Sequence, residues 1–208
     1  MFQSTGGMVL ASFSPQNIDR LVTVYRACLR SRRDLVIDLY TAAIVRATGK
    51  KTIPQVDWDH VRVYLPKSQK LNVLRKKAFE RTDAVKSHRI YADELRERKD
   101  ELVMLFRGSM ARELEQIDCL EGARLLWSMW PGYLRERSGE ALNSFLDGHG
   151  IDMEIHHSSG HAHIPDLLRL VEALEPTRVV PIHSFAGDRF EEFFPRVDRK
   201  HDGDWWQV

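Results

Sequence analysis

Five of the nine histidines of this chain fall between His156 and His183. Four of them stand in Ile155-His156-His157-Ser158-Ser159-Gly160-His161-Ala162-His163, and the fifth ends Arg178-Val179-Val180-Pro181-Ile182-His183. Imidazole ligates transition metals when neutral and exchanges protons near pH 7, so such a cluster invites metal or phosphate chemistry. A hydrolytic zinc or manganese centre needs three or more N or O ligands and a position left open for water. His157, His161 and His183 could supply part of that set. The box-like run His161-Ala162-His163-Ile164-Pro165-Asp166 is not a metal site by itself. On a turn that leads into a helix the two imidazoles need not converge, and Asp166 already suits the positive end of the helix dipole. Taken alone, the cluster leaves open the plain alternative of a solvated, hydrogen-bonded loop.

The elements around the histidines can be read from periodicity. An apolar strand ending near Ile155 runs into the His/Ser/Gly turn. Ile164, Leu167, Leu168, Val171 and Leu174 then fall on one stripe of a helix. Pro165 suits its first turn and Pro176 its end. Roughly ten residues make a helix of about 15 Å, long enough to cross back over a sheet. A second apolar strand would deliver His183 at its end. The carboxyl ends of strands in an open α/β sheet are where ligands bind.

The earlier chain is expected to build that sheet. Met8 to Phe13 reads as a buried strand after Gly6-Gly7, with Ser14 capping a helix that has Pro15 at its first position. Ile18, Leu21, Val22, Tyr25, Cys28 and Leu29 give this helix its apolar face, and Arg30, Arg32 and Arg33 close its negative end. A strand from Asp34 to Tyr40 and a helix from Thr41 to Ala47 follow. Strand-helix-strand-helix is the signature of a parallel sheet with right-handed crossovers. Val61 to Leu65 is a further strand. From Lys67 to Asp100 the chain is polar and helical in pieces. Lys67, Lys70, Arg75, Lys76 and Lys77 could line a polyanion groove, with a solvated helix face as the favoured alternative. Glu101 to Phe106 has the apolar run of a strand, although a helical period also fits it. Arg124 to Met129 is another strand, broken by Pro131-Gly132. Glu140 to Leu146 is a short helix with Gly148 and Gly150 as its exit. The fold class is α/β, and Trp205-Trp206 in the tail are expected to pack at an edge.

Composition sets the outer bounds. A chain of 208 residues with 43% hydrophobic and 29% charged residues can bury a real core. A net charge of +1, from 31 basic and 30 acidic residues, gives no global steering toward nucleic acid. Any polyanion site must therefore be local. Cys28 and Cys119 are read as packed free thiols. No apolar run approaches the roughly 20 residues of a membrane span, and Met1 to Gly7 is not a signal peptide. No membrane partner and a cytoplasmic location are expected.

His157-Ser158-Ser159-Gly160-His161-Ala162, then a helix, then Pro181-Ile182-His183 resembles the closing motifs of the β-CASP branch of the metallo-β-lactamase superfamily. That branch includes ribonuclease J and the nucleases that process messenger RNA ends. Its pattern is a Ser-Gly-His-Ala turn and, 22 residues on, a Pro-x-His, the spacing from His161 to His183 here. Met8 to Ser14 with Asn17-Ile18-Asp19-Arg20 looks like the opening of the β-CASP insert. Trp127-Ser128-Met129-Trp130-Pro131-Gly132-Tyr133 looks like its last strand and loop, and the Asp202-Gly203-Asp204-Trp205-Trp206 tail fits the same branch. The resemblance implies a β-CASP-like, Rossmann-like α/β domain over residues 1–148. It implies that residues 149–208 are the closing strand-helix-strand of a metallo-β-lactamase-type domain, the RNA-specificity motif. It further implies zinc as cofactor in a two-metal site, with RNA as partner.

Carried over by position, His183 matches the family's late metal ligand. His161 matches the histidine that contacts the scissile phosphate and helps to protonate the leaving oxygen. His157, Ser159 and Gly160 match the turn that shapes the phosphate pocket. In the family a metal-bridging hydroxide attacks phosphorus while both metals neutralise the developing charge. The family's main metal box, His-x-His-x-Asp-His, occurs nowhere in these 208 residues. The chain is therefore expected to be the C-terminal portion of such a hydrolase, inactive by itself. A missing N-terminal lactamase half, or another chain, would complete it. Apolar faces at Leu167, Val171, Val179 and Val180, left without a partner sheet, imply self-association. The alternative is a non-catalytic α/β module that binds RNA or a partner, and a third reading is a plain doubly wound domain.

Overall fold

Among the described residues, six short segments form strands: β1 Val9–Ser12, β2 Asp34–Asp38, β3 Val61–Tyr64, β4 Leu102–Leu105, β5 Arg124–Trp127 and β6 Asp152–Ile155. The computed structural model describes residues 1–157, 162–182 and 184–207. The strands pair in parallel throughout, in the order β3-β2-β4-β1-β5-β6. The α/β class expected from the sequence is thus the observed one.

A parallel sheet must be covered on both faces. Helices α1 Ile18–Ser31 and α2 Leu39–Ala47 follow β1 and β2. Their Leu21, Val24, Cys28, Ala42 and Val45 pack on Val9, Ala11, Leu35, Ile37 and Val63. After β3 come α3 Lys67–Lys76, α4 Glu80–Asp83 and α5 Ala92–Glu97. Helix α6 Ala111–Ile117 follows β4, and α7 Arg137–His149 follows β5. Leu95, Leu114, Leu142 and Leu146 from α5, α6 and α7 cover the other face, where Met8, Leu10, Val36, Met104 and Leu125 alternate with the first set. The chain runs one way across the sheet from β1 to β3, re-enters at β4 between β2 and β1, and then runs the other way. Right-handed crossovers in opposite directions put their helices on opposite faces.

Local chemistry moves two expected boundaries. Helix α1 starts at Ile18, not at Pro15, because Asn17 Oδ1 accepts from the Arg20 backbone N–H at 2.9 Å. Strand β2 stops at Asp38 because its Oδ1 accepts from the Thr41 N–H at 2.7 Å and from the Thr41 hydroxyl at 2.6 Å, which opens α2 early. On α1, Val24 is buried while Leu29 is 42% exposed, so the core-facing stripe sits slightly off the expected one. Helix α7 is longer than Glu140–Leu146. It can begin at Arg137 because Gly139 lies where a Cβ would stand 2.3 Å from the Tyr133 carbonyl oxygen.

The chain divides into two compact units, Met1–Ser158 and Ser159–Val208. The first holds the sheet and α1 to α7. The second holds α8 Ile164–Leu174, with Pro165 in its first turn as expected. The second strand expected over Arg178 to His183 is represented, among the described residues, by a single parallel bridge from Val179 to Val197. Val179 donates to the Arg196 carbonyl at 2.9 Å and accepts from Asp198 at 2.9 Å, but Pro181 has no N–H to extend a ladder. The Phe190 and Phe194 rings lie 5.4 Å apart at a 35° tilt in this unit, and Arg199 pairs with Asp188. Trp205 is fully exposed, so its expected edge packing is not observed, while Trp206 is half-buried.

Candidate functional site at the carboxyl edge of the sheet

Short hydrogen bonds clip the carboxyl ends of four adjacent strands together. The Phe106 N–H donates to the Ala11 carbonyl at 2.9 Å, and the Ser12 hydroxyl donates to the Phe106 carbonyl at 3.1 Å. The Ser128 N–H donates to the Ser12 carbonyl at 2.8 Å, and the Ser128 hydroxyl donates to the His156 carbonyl. The His156 N–H donates to the Trp127 carbonyl at 2.9 Å. The ends of β4, β1, β5 and β6 therefore form a fixed ledge.

A crevice of about 810 Å³ opens on this ledge, within the usual range of ligand sites. Phe106, Trp127 and Tyr133 give it aromatic walls, Ser12 and Ser109 bring hydroxyls, and Arg107 brings a cation. It lies where the loop after β1 leads to one face of the sheet and the loops after β4 and β5 lead to the other. Such a point of divergence leaves room for a ligand.

Arg107 is positioned by charge and by a ring. Its guanidinium stands 2.9 Å from Asp38 Oδ2 and 5.1 Å from the centre of the Tyr40 ring. Asp38 is 1% exposed and also accepts from Gln69 Nε2 at 2.7 Å, so its carboxylate is fully engaged in holding neighbours. That carboxylate is structural, while the cation lines the crevice. Trp127 Nε1 is enclosed and meets no acceptor among the described residues.

Of the sequence-derived site residues, His157 is described and stands exposed just past β6, on the same edge as the crevice. Ser159, Gly160, His161 and His183 lie outside the described residues. His156 is tied down by Glu154 Oε2 at 3.2 Å, and Glu154 also takes Arg124 at 2.7 Å. The hydrogen bond from His156 and the nearby Arg124 charge hold the Glu154 carboxyl below the usual range.

Among the described residues, no group of three or more His, Cys, Asp or Glu is arranged to hold a metal ion. The two cysteines are buried free thiols, as expected. Burial pushes both thiols up, that of Cys119 to about 11, so neither is a ready thiolate ligand. The described donor set does not by itself fit a zinc centre.

The basic residues proposed for a groove separate. Lys70 lies 5.7 Å from the centre of the Tyr64 ring, and the Lys67 backbone N–H donates to Glu113 Oε2 at 2.9 Å. Lys76 alone of the five lines a second cavity, beside α2, α3 and α4, together with Arg46, Lys50, Lys51 and Arg81. Those four cations come from three places, and Lys50-Lys51 is too short a run to announce them. The crevice is more accessible from sequence: its Arg107 follows directly on the carboxyl end of an apolar run, where a ligand-facing loop is expected.

Residues 151–185 match a family model described as a Zn-dependent metallo-hydrolase RNA specificity domain. The match supports a relationship to the metallo-β-lactamase superfamily over that segment, and it spans β6, α8 and the sites of His157, His161 and His183. A solved structure titled as a protein of unknown function from Enterococcus faecalis V583 is similar over 95% of this chain, at 20% identity and a TM-score of 0.61. At that identity the likeness shows the fold alone. This chain spans 40% of that solved chain. No curated protein matches the sequence. No helix among the described residues is long and apolar enough to cross a membrane.

Proposed function

We propose that this chain is the RNA-contacting part of a zinc-dependent hydrolase of the β-CASP type, acting on RNA phosphodiesters when complete. The observation that carries the reading is continuity. The matched segment opens at Ile151, immediately before β6, and β6 is a paired strand of the sheet whose carboxyl edge bears the crevice. The RNA-specificity motif thus departs from the ledge on which a nucleotide could lie. Residues 1–148 would be the β-CASP-like domain, and 149–208 the closing part of the lactamase-type domain.

His183 is proposed as a metal ligand. His161 is proposed to contact the scissile phosphate and protonate the leaving oxygen, with His157, Ser159 and Gly160 shaping the phosphate pocket. The exposed rings of Tyr133 and Trp130 beside the crevice offer stacking surfaces that accept any base. His-x-His-x-Asp-His is absent from the sequence, so on this reading the principal zinc ligands would come from another polypeptide segment. The same absence favours, as a second reading, a module that binds RNA without hydrolysing it.

Two measurements test this. Fluorescence anisotropy with single-stranded RNA should show binding by the 208-residue chain that weakens steadily with salt. Tyr133→Ala should cost about 1 kcal/mol of that affinity or more, as loss of one stacked base does. The natural protein, isolated from its own source, should cleave the same RNA with zinc. Its His161→Ala form should bind but not cleave. Binding without cleavage by the natural protein would transfer the assignment to the non-catalytic module, and no binding even at low salt would remove both readings.

A further inference from the structure

At the β3 end of the sheet, far from β6, the chain forms a groove of about 760 Å³ between α2, α3 and α4. Its cations come from four places: Arg46 near the end of α2, Lys50 and Lys51 on the loop that follows, Lys76 at the end of α3, and Arg81 on α4. None of these five makes an ion pair among the described residues, although the same unit pairs Arg96 with Asp93, Arg98 with Glu101 and Lys99 with Glu121. Asp57 is the acidic residue on the groove wall. Like charges that converge on one cavity repel one another in the free protein, so an anionic occupant is what the arrangement favours.

The floor is not that of a bare phosphate site. Ala42, Val73 and Val85 form an apolar base, all buried. The Tyr40 ring, 43% exposed, stands at one end. The amides of Gln69 and Asn72 border it, and their oxygens are enclosed without a donor. Inorganic phosphate offers nothing to an apolar base and no N–H to an amide oxygen. A nucleotide offers all three matching parts: phosphate for the cations, a ring face for the apolar floor, and N–H groups on the base edge.

We infer that this groove is a second nucleotide-holding site for single-stranded RNA, adjoining the carboxyl-edge crevice at Tyr40. The inference rests on the reading of the chain as an RNA-contacting one. Tyr40 lines both cavities, so one strand of modest length can engage both places. Engagement at two linked places raises affinity by effective concentration, without any new interaction at either.

The test uses the full chain and RNA oligomers of about 4 and about 16 nucleotides, spanning the usual single-strand site sizes. The triple variant Lys50→Gln, Lys51→Gln, Lys76→Gln removes exposed side chains only, and circular dichroism should match the wild type. Its affinity for the longer RNA should fall at least tenfold, and its log–log salt slope should become shallower by about 0.7 for each phosphate no longer neutralised. Most of the advantage of the longer oligomer over the shorter should vanish. Adenosine 5′-monophosphate should compete at the wild-type groove, and inorganic phosphate at equal concentration should not.

An unchanged affinity for long RNA in the triple variant, with Tyr133→Ala still weakening it, would overturn the groove and leave the proposed function standing. Competition by phosphate as strong as by the nucleotide would overturn the nucleotide assignment. Binding of the mononucleotide without any RNA binding would remove the strand-holding role and the RNA reading together.

Discussion

Helices α7 and α8 flank β6 in sequence and have similar amphipathic patterns, yet they end in opposite circumstances. Helix α7, of 13 residues, buries Leu142 and Leu146 against Leu125 and Phe106 of the sheet unit. None of the 11 residues of α8, all of them described, is buried. Leu168 is 40% exposed, Leu170 53% and Leu174 67%. A 3.6-residue apolar period is enough to specify a helix in each case, but it does not supply the surface that covers the stripe. In the first unit a six-stranded sheet is there to be covered. In the second, the Val179 to Val197 bridge is the only pairing among the described residues, and Ile182 and Phe185 are exposed as well.

The largest expected effect lies on the covered side. Leu125 is fully buried at the middle of β5, beneath α7. Leu125→Ala removes a methine and two methyl carbons from a close-packed face and should cost about 2–5 kcal/mol in urea denaturation. A cost well under 1 kcal/mol would mean that α7 does not pack on the sheet, and the contrast between the helices would lose its basis.

A smaller effect tests how the covered unit handles charge. Asp34 opens β2 at 7% exposure, and burial alone would raise its carboxyl pKa. Hydrogen bonds from His60 at 2.8 Å and Arg98 at 3.0 Å, with the charges of Arg98 and Arg62, outweigh burial and hold it below the usual range. A carboxylate whose pKa is depressed by folding stabilises the fold above its unfolded pKa of about 3.9, and that contribution is lost as pH falls through the folded value. Asp34→Asn should therefore cost about 1 kcal/mol at pH 7, since the carboxylate loses its charge-assisted hydrogen bonds while the part-exposed His60 and Arg98 side chains can turn to water. The gap between variant and wild type should close as the pH is lowered below 4. A gap that stays constant with pH would show that the carboxylate contributes shape and not charge.

The difference between the helices also explains what could be read from the sequence. The parallel sheet was legible because each strand is an apolar run such as Leu35-Val36-Ile37 or Leu102-Val103-Met104-Leu105, bounded by helices of clear period. The start of α1 was not legible because Ser14-Pro15 is as good a start signal as Asn17, and only the hydrogen bond from Arg20 decides between them. The strand expected after α8 is reduced to one bridge because the apolar content of Val179-Val180 does not specify which neighbour pairs with it. Site residues divide in the same way. The histidines of 156–163 stand out as a linear cluster, while the crevice draws Ser12, Arg107 and Tyr133 from three distant segments that meet only when the sheet forms.

The smallest expected effect is on the uncovered side, and it decides what α8 is for. Leu168 lies on the apolar stripe of α8 but keeps much of its exposure within its own unit. Leu168→Ala replaces one good helix former by a better one, and removes side chain that is not packed. Its effect on the stability of the isolated 208-residue chain should stay within about 0.5 kcal/mol, as for surface substitutions generally. After a covering partner has bound, the same substitution should cost several times more, because the stripe is then a packed interface. Denaturation of both forms in parallel checks this. A cost in the isolated chain equal to that of Leu125→Ala, and dependent on protein concentration, would show that copies of this chain cover α8 for one another. The self-association expected from these apolar faces would then be the answer to how the second unit is stabilised.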